Sequence, residues 1–293
     1  MTCASRLFRL ALTVAVVAAA LAGCAIDRTF GPGPRHAVSA PPARASTAAP
    51  DSLLIASYNI QYGEDVALAI DDLRRAGLDR PDILLLQEMT PAGVDSVARA
   101  LGLGYVYQPA SVHPHHGRLF GNAVLSRWPV TAHRLLVLPH PHPVTGHRRI
   151  ALACDLDVAG RPVRTVSLHL ATPVLATALR LDQAAAVLDS LVTPWPGAVI
   201  VGGDFNTAGP HDVAAVRKMY RRAGRLHPAR LPEGCTVRGH PWRLLGAGCR
   251  LDHLFLRGLD DGSAGIATGS EASDHFPIWA RVGWRAAPAA AIE

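Results

Sequence analysis

Residues 149–171 read RIALACDLDVAGRPVRTVSLHLA. Two apolar-alternating runs, RIALACDLDV and RPVRTVSLHLA, follow one another with only Ala159 and Gly160 between them. A two-residue link joins antiparallel neighbours, because a parallel return needs a crossover of a dozen or more residues. Upstream, YVYQPA (105–110), RLFGNAVLSRWP (118–129) and HRLLVLP (133–139) add three strand candidates divided by Pro, Gly and His turns. A purely parallel doubly wound sheet is therefore disfavoured.

Helical and strand patterns on either side complete the order. SLLIASYNI (52–60) reads as a strand, and DVALAIDDLRRAG (65–77) has helical spacing of Val66, Leu68, Ala69, Ile70 and Leu73. PDILLLQEM (81–89) is a short apolar run behind Pro81, and residues 91–101 read as a helix. VLATALRLDQAAAVLDSLV (174–192) is the longest helical pattern. It is followed by the strand GAVIVGGD (197–204), the helix DVAAVRKMYRRAG (212–224), and strands at RLDHLFLRG, AGIATG and FPIWARV. Two mostly antiparallel sheets packed together, with helices outside, fit this order over residues 51–285, and 286–293 read as a flexible tail.

The N-terminus reads as an export signal. Arg6 and Arg9 precede LALTVAVVAAALAG, which is too short to span a bilayer and ends in small residues. The run closes as LAGC, which resembles the bacterial lipoprotein signal, so 1–23 are expected to be removed and Cys24 acylated as a membrane anchor. In such lipoproteins Asp after the cysteine retains the protein at the inner membrane. Ala25 stands there instead, which favours the outer membrane. Residues 24–50, rich in Pro, Ala, Gly and Ser, read as a disordered tether.

At 293 residues and 49% hydrophobic, the chain has enough apolar content for a large core. Its net charge of +6 says little about nucleic acid. Arg6 and Arg9 leave with the signal and residues 24–50 add three arginines against Asp27, so residues 51–293 carry only +2. Lys218 is the one lysine, although Arg217, Arg221, Arg222 and Arg225 could form a local patch. In an exported chain, Cys235 and Cys249 could close a short loop as a disulfide, while Cys154 sits in a strand pattern. The loops 113–118 and 140–147 carry six histidines, which read as solvated turns, or as contacts to an anionic substrate at acidic pH or to a stray transition metal.

Six short segments place polar residues at the ends of apolar runs. They are SYNIQYG with Asn59, LLLQEM with Glu88, GNAVLSRWP with Asn122, VSLHL with His169, VGGDFN with Asp204 and Asn206, and RLDHLFL with SDHFPI, which carry Asp252, Asp274 and His275. Taken singly, each fits a turn, a cap or a satisfied core histidine. Together, and in this order, they resemble the endonuclease/exonuclease/phosphatase superfamily of divalent-metal phosphodiesterases. The resemblance runs from about residue 53 to 282, with LRLDQ (Arg180, Gln183) before GDFN as further support.

That resemblance implies a four-layer α/β sandwich and a phosphoric ester hydrolase. It assigns Asn59, Glu88 and Asp274 to a metal position, and His169, Asp204, Asn206, Asp252 and His275 to catalysis. Asn122 and one of Arg148 or Arg149 would contact phosphate. A hard cation that prefers oxygen, Mg²⁺ or else Mn²⁺ or Ca²⁺, is the expected cofactor. Two departures matter: Gln61 stands where abasic-site endonucleases carry an acid, and the long basic and aromatic insertions of nuclease members are missing. The expected partner is a small or lipid-derived phosphoester acted on by a membrane-anchored monomer. Two alternatives are a secreted nuclease of the same fold and a catalytically idle surface-binding lipoprotein.

Overall fold

The structure, a computed structural model, describes residues 37–42, 47–112, 117–143, 146–172, 176–207, 209–239 and 249–285. The signal segment, Cys24 and the tail 286–293 lie outside the described residues, as do His113, His115 and His116. Among the described residues no helix is long and apolar enough to cross a membrane.

The chain opens with β1 (Val38–Ala40) and β2 (Ser52–Asn59), then runs through α1 (Val66–Arg75), β3 (Ile83–Met89) and α2 (Pro91–Leu101). Five strands follow: β4 (Gly104–Val112), β5 (Leu119–Ser126), β6 (Val130–Val137), β7 (Ile150–Val158) and β8 (Arg161–His169). Next come α3 (Thr177–Val187), β9 (Ala198–Asp204), α4 (Pro210–Ala223), β10 (His227–Pro228), β11 (Asp252–Arg257), β12 (Leu259–Ile266) and β13 (Ile278–Trp284). β7 and β8 pair antiparallel across the Ala159–Gly160 turn, as their alternation predicts.

Two sheets result, ordered β1-β4-β5-β3-β2-β13-β12 and β10-β11-β9-β8-β7-β6. Each is mixed, with a single parallel pair made by a helical crossover. That pair is β2-α1-β3 in the first sheet and β8-α3-β9 in the second. Period-two alternation assigns the faces: Leu53, Ile55, Ile83 and Leu85 meet Leu152, Cys154, Ile200 and Leu254 between the sheets. The opposite faces meet helices: Tyr58, Leu84 and Leu86 lie under Leu73, Val94 and Val97, and Val166, Val199 and Phe205 lie under Val187, Val216 and Tyr220. The layers therefore run helix, sheet, sheet, helix, the α/β sandwich that the strand order predicts.

Local chemistry sets the element ends. Asp65 caps α1 by accepting from the Leu68 N–H, and Thr90 caps α2 by accepting from Gly93 before Pro91. Gly102, at φ 68°, stops α2 in the left-handed region.

The tether expectation needs a correction. Val38–Ala40 pair with Tyr105–Tyr107 as an edge strand, so the segment read as disordered over 24–50 carries structure here. Gly104 permits this approach, because a Cβ there would stand 2.4 Å from the Pro42 nitrogen. The sulfurs of Cys235 and Cys249 are bonded, with their α-carbons 4.7 Å apart, and Cys154 is free and buried.

Candidate active site

The carboxyl ends of the two parallel pairs meet at one end of the sandwich. Asn59 ends β2, Glu88 lies one residue before the end of β3, His169 ends β8 and Asp204 ends β9. His169 is the register partner of Asp204 in the parallel ladder, and Asp252, first residue of β11, is its antiparallel partner on the other side. Apolar runs that stop at these residues therefore deliver their polar ends to one place.

Backbone conformation aims the side chains. Glu88 adopts φ 60° beside a register shift between Leu86 and Met89, a bulge that re-aims a strand residue. Tyr62, at φ 55°, turns its N–H onto Glu88 Oε2 at 3.2 Å. Gly203, at φ 142°, lets β9 press against β8 just before Asp204, since a Cβ there would meet the Leu168 carbonyl at 2.0 Å. Asn206, at φ 51°, folds back so that its N–H donates to Asp204 Oδ1 at 2.8 Å and its Nδ2 to the Leu170 carbonyl at 3.0 Å.

Asp204 is the hub. Its Oδ2 accepts from Asn59 Nδ2 at 3.2 Å and lies 3.3 Å from His169 Nε2 and 3.7 Å from His275 Nε2. His275 Nδ1 stands 2.9 Å from Asp252 Oδ2. Arg149 Nη1 is 3.1 Å from His169 Nδ1. A guanidinium only donates, so His169 Nδ1 accepts and the ring proton sits on Nε2, facing Asp204. His169 Nε2 also lies 3.7 Å from Glu88 Oε1.

Electrostatics separate the two histidines. Burial, Arg149 and His275 hold His169 well below its ordinary value, so it is neutral. Burial alone would do the same to His275. The Asp252 and Asp204 carboxylates outweigh it and push His275 up to about 10, so its ring is a cation. Burial, aided by Asp252 and Glu88, raises Asp204 to about 7 against the pull of His275 and the Asn206 N–H. Glu88 is also raised, chiefly by burial, with Arg149 and His275 opposing.

A polar floor beneath the site joins the sheets. Gln87 Nε2 donates to Ser167 Oγ at 3.0 Å, and Ser167 Oγ donates to the Leu86 carbonyl at 3.0 Å. Asn122 belongs to this floor, which corrects the expectation of a phosphate contact. Its Nδ2 donates to the carbonyls of Ile150 at 3.1 Å and Ser167 at 3.2 Å, which leaves no amide N–H for an anion. Of the two arginines, Arg149 reaches the site, and no contact of Arg148 with a site residue is present among the described residues. Arg180 and Gln183 work behind it: Arg180 pairs with Asp212 at 2.5 Å, and Gln183 holds the Ala171 N–H and the Pro139 carbonyl.

Two groups of atoms could hold a metal. Asp204, Asp252 and His275 each offer a ligand atom within 4.8 Å of the others. The His275 ring is held protonated against Asp252, so ligation there would require losing that proton. Glu88 and Asn59 form the second group. Asn59 Oδ1 is buried with no hydrogen-bond partner among the described residues, an acceptor that a hard cation would satisfy. Asp274 stands exposed at the mouth, its N–H donating to Gln61 Oε1 at 3.2 Å. Gln61, the departure from an acid, is thereby used to anchor the Asp274 segment.

A family model described as endonuclease/exonuclease/phosphatase family matches residues 56–275, a span that reaches from β2 to His275. The chain belongs to the endonuclease/exonuclease/phosphatase family. Three solved structures illustrate the shared fold. The endonuclease/exonuclease/phosphatase of Beutenbergia cavernae is 20% identical with TM-score 0.66, over 82% of this chain and 74% of that one. The human Nocturnin catalytic domain is 19% identical with TM-score 0.63, over 86% and 98%. The Bacteroides thetaiotaomicron mannosyl-6-phosphatase is 18% identical with TM-score 0.61, over 80% and 100%. No curated protein sequence matches the chain.

As a family member with this buried Asp/Asp/His cluster, the protein is a metal-dependent phosphoric ester hydrolase. Sequence reasoning missed several residues that build the endonuclease/exonuclease/phosphatase site: Gln87 and Ser167 of the floor, Ser273, and Thr236. Ser273 Oγ donates to the Asn59 carbonyl at 2.7 Å and accepts from the His275 N–H at 3.1 Å. Gln87 was legible as the neighbour of Glu88. Thr236 carried no signal at all.

Proposed function

We propose that this hydrolase cleaves a small or lipid-derived phosphoester at the bacterial cell envelope, with Mg²⁺ held by Glu88, Asn59 and Asp274 and the domain tethered through an acylated Cys24. The observation that carries the hydrolytic reading is the geometry at Asp204, whose Oδ2 lies 3.3 Å from His169 Nε2 and 3.7 Å from His275 Nε2 while burial raises its proton affinity. Such a group can take the proton of an attacking water at neutral pH.

The bound cation would neutralise phosphoryl charge. The chain's own residues do the remainder. Asp204 orients and deprotonates the water, and the Asn206 N–H keeps its carboxylate in place. His275, fixed by Asp252, presents Nε2–H to a phosphoryl oxygen, where its positive charge offsets the negative charge of the ester. Arg149 fixes His169 and adds positive charge on the same side. The side chains of His169, Asp204, Asp252 and His275 lie in one cluster and the Asn206 N–H braces Asp204, which supports hydrolysis over an idle scaffold.

Burial supports a compact substrate. Asp204 is 1% and His275 6% exposed, so a flexible or single phosphoester enters such a site more readily than a stiff duplex. The deciding experiment compares kcat/KM for plasmid DNA, phospholipid vesicles and bis-p-nitrophenyl phosphate in one buffer, with a chelated control. Soluble or lipid esters turned over well ahead of plasmid are expected. Efficient plasmid nicking beside negligible turnover of the other two would move the protein to the nuclease alternative.

A further inference from the structure

Helix α4 faces two environments. Val216 and Tyr220 enter the core, while Lys218, Arg221 and Arg222 are exposed and Arg217 is half-buried. The helix carries one acid, Asp212, which is buried and bonded to Arg180 and Thr177, so it offers the outer face no counter-charge. Across from these cations lie Glu233, Cys249 and Arg250, and a groove of about 770 Å³ runs between. Among the described residues Glu233 is its one lining acid against Arg217, Lys218, Arg221, Arg222 and Arg250.

Two details mark a built anion seat rather than a solvated face. Arg217 Nε is buried without a hydrogen-bond partner among the described residues. Arg250 loses proton affinity through burial and then through the nearby Arg217, with Glu233 opposing. Two neighbouring guanidiniums suit a phosphate, whose oxygens can accept from both.

Two lining residues of the groove are close in sequence to active-site residues. Gly209 in its wall is three residues past Asn206, and Arg250 is two residues before Asp252, at most ~7 Å between α-carbons in an extended chain. The Thr207 hydroxyl donates to the Arg250 carbonyl and ties the two margins together. From that end α4 carries the cations outward over about 18 Å.

We propose that this groove seats a second phosphate group of the substrate, so that the preferred substrate carries at least two phosphates, one cleaved at Asp204 and one held between Arg217 and Arg250. The assignment rests on the hydrolase reading above and specifies its substrate. Among the described residues no aromatic ring lines the groove. A discrete concave seat favours a phosphate on the substrate molecule over a flat anionic membrane.

The test compares thymidine 5′-(p-nitrophenyl phosphate) with its 3′-phosphorylated form. For the wild type, the added phosphate is expected to lower KM about tenfold or more with kcat unchanged, the scale of one or two charge-assisted hydrogen bonds. Arg217→Gln/Arg250→Gln should abolish that gain while turnover of bis-p-nitrophenyl phosphate persists. Lys218→Gln/Arg221→Gln, on the exposed face, should halve the gain or more without touching the fold. Equal KM for the two esters in the wild type overturns the proposal. So does recruitment of wild type, but not the variants, to phosphatidylglycerol vesicles with no gain from the 3′-phosphate, which would make the groove a membrane-docking surface. If no ester is cleaved, the hydrolase reading falls and calorimetry decides the groove by itself. Binding of inorganic pyrophosphate that is lost in Arg217→Gln/Arg250→Gln sustains the seat, and absence of binding removes it.

Discussion

Replacing Thr236 by Val tests whether the disulfide-closed segment positions the catalytic pair. Thr236 is fully buried, and its Oγ1 accepts from the Leu251 N–H at 2.9 Å and the Asp252 N–H at 3.1 Å. Its carbonyl accepts from the Phe276 N–H at 2.7 Å, and Val237 bridges to His275. One residue therefore ties the start of β11, which carries Asp252, to the segment that carries His275. Valine keeps the shape and removes the acceptor, which leaves two buried N–H groups unanswered. At about 1–3 kcal/mol for each unsatisfied donor, the cost is about 2–6 kcal/mol, a large part of the ~5–15 kcal/mol that holds a domain folded. Urea denaturation should show a lower midpoint. Turnover of bis-p-nitrophenyl phosphate, measured well below the unfolding temperature, should also fall, because the 2.9 Å Asp252–His275 contact depends on both segments. Thr236→Ser keeps the hydroxyl and should recover most of both losses. A valine variant within ~0.5 kcal/mol of wild type, the scale of an ordinary surface change, with full turnover, would refute the reasoning.

Four further outcomes are expected. Asp204→Asn and His275→Gln should each lower kcat by roughly two to four powers of ten with the fold intact by circular dichroism, the range for losing a positioned acid or base. Exhaustive chelation should abolish hydrolysis and re-addition of Mg²⁺ should restore it; full activity after chelation would remove the metal from the mechanism. Cys235→Ser/Cys249→Ser opens a loop of sequence separation 14 and should cost ~3 kcal/mol in denaturant unfolding, the loop-entropy scale for that length. Cys24→Ser should shift the exported protein from the membrane fraction to the soluble fraction, and unchanged detergent partitioning would refute the acyl anchor.

Alternation and run length made the sandwich legible. Leu53 and Ile55 face one way and Leu54 and Ala56 the other because a strand has period two, and the same pattern recurs in RIALACDLDV and RPVRTVSLHLA. The site residues were legible for a related reason: each stands where an apolar run stops, so chain direction alone brings Asn59, Glu88, His169 and Asp204 to one end. Thr236 gave no such signal. Its role exists only because the chain around it crosses β11 and the 274–276 segment, contacts set by tertiary structure and not by any local period. Asn122 misled for the opposite reason, since a polar residue near a strand end serves equally as a cross-sheet tie, and the nearby Ile150 and Ser167 carbonyls decide which. β1 escaped because three residues of an edge strand, Val-Ser-Ala, carry no more pattern than a tether does.

Charge shows why a sum over the sequence misdirects. A net +2 on residues 51–293 weakens the case for nucleic acid, yet fields between exposed charges fade over ~8 Å at physiological ionic strength. What a phosphate meets is the local set, and α4 places Arg217, Arg221, Lys218 and Arg222 on adjacent turns because residues three and four apart share a helix face. Two of the acids that balance the total are spent elsewhere, Asp155 on Arg164 and Asp212 on Arg180, and among the described residues Glu233 is the one acid that lines the groove. The same reasoning applies at the site itself. His275 is a cation and His169 is neutral though both are buried in one cluster, because Asp252 touches one ring and Arg149 the other. Which neighbour a side chain meets within ~4 Å, and not how many charges the chain carries, decides what each group does.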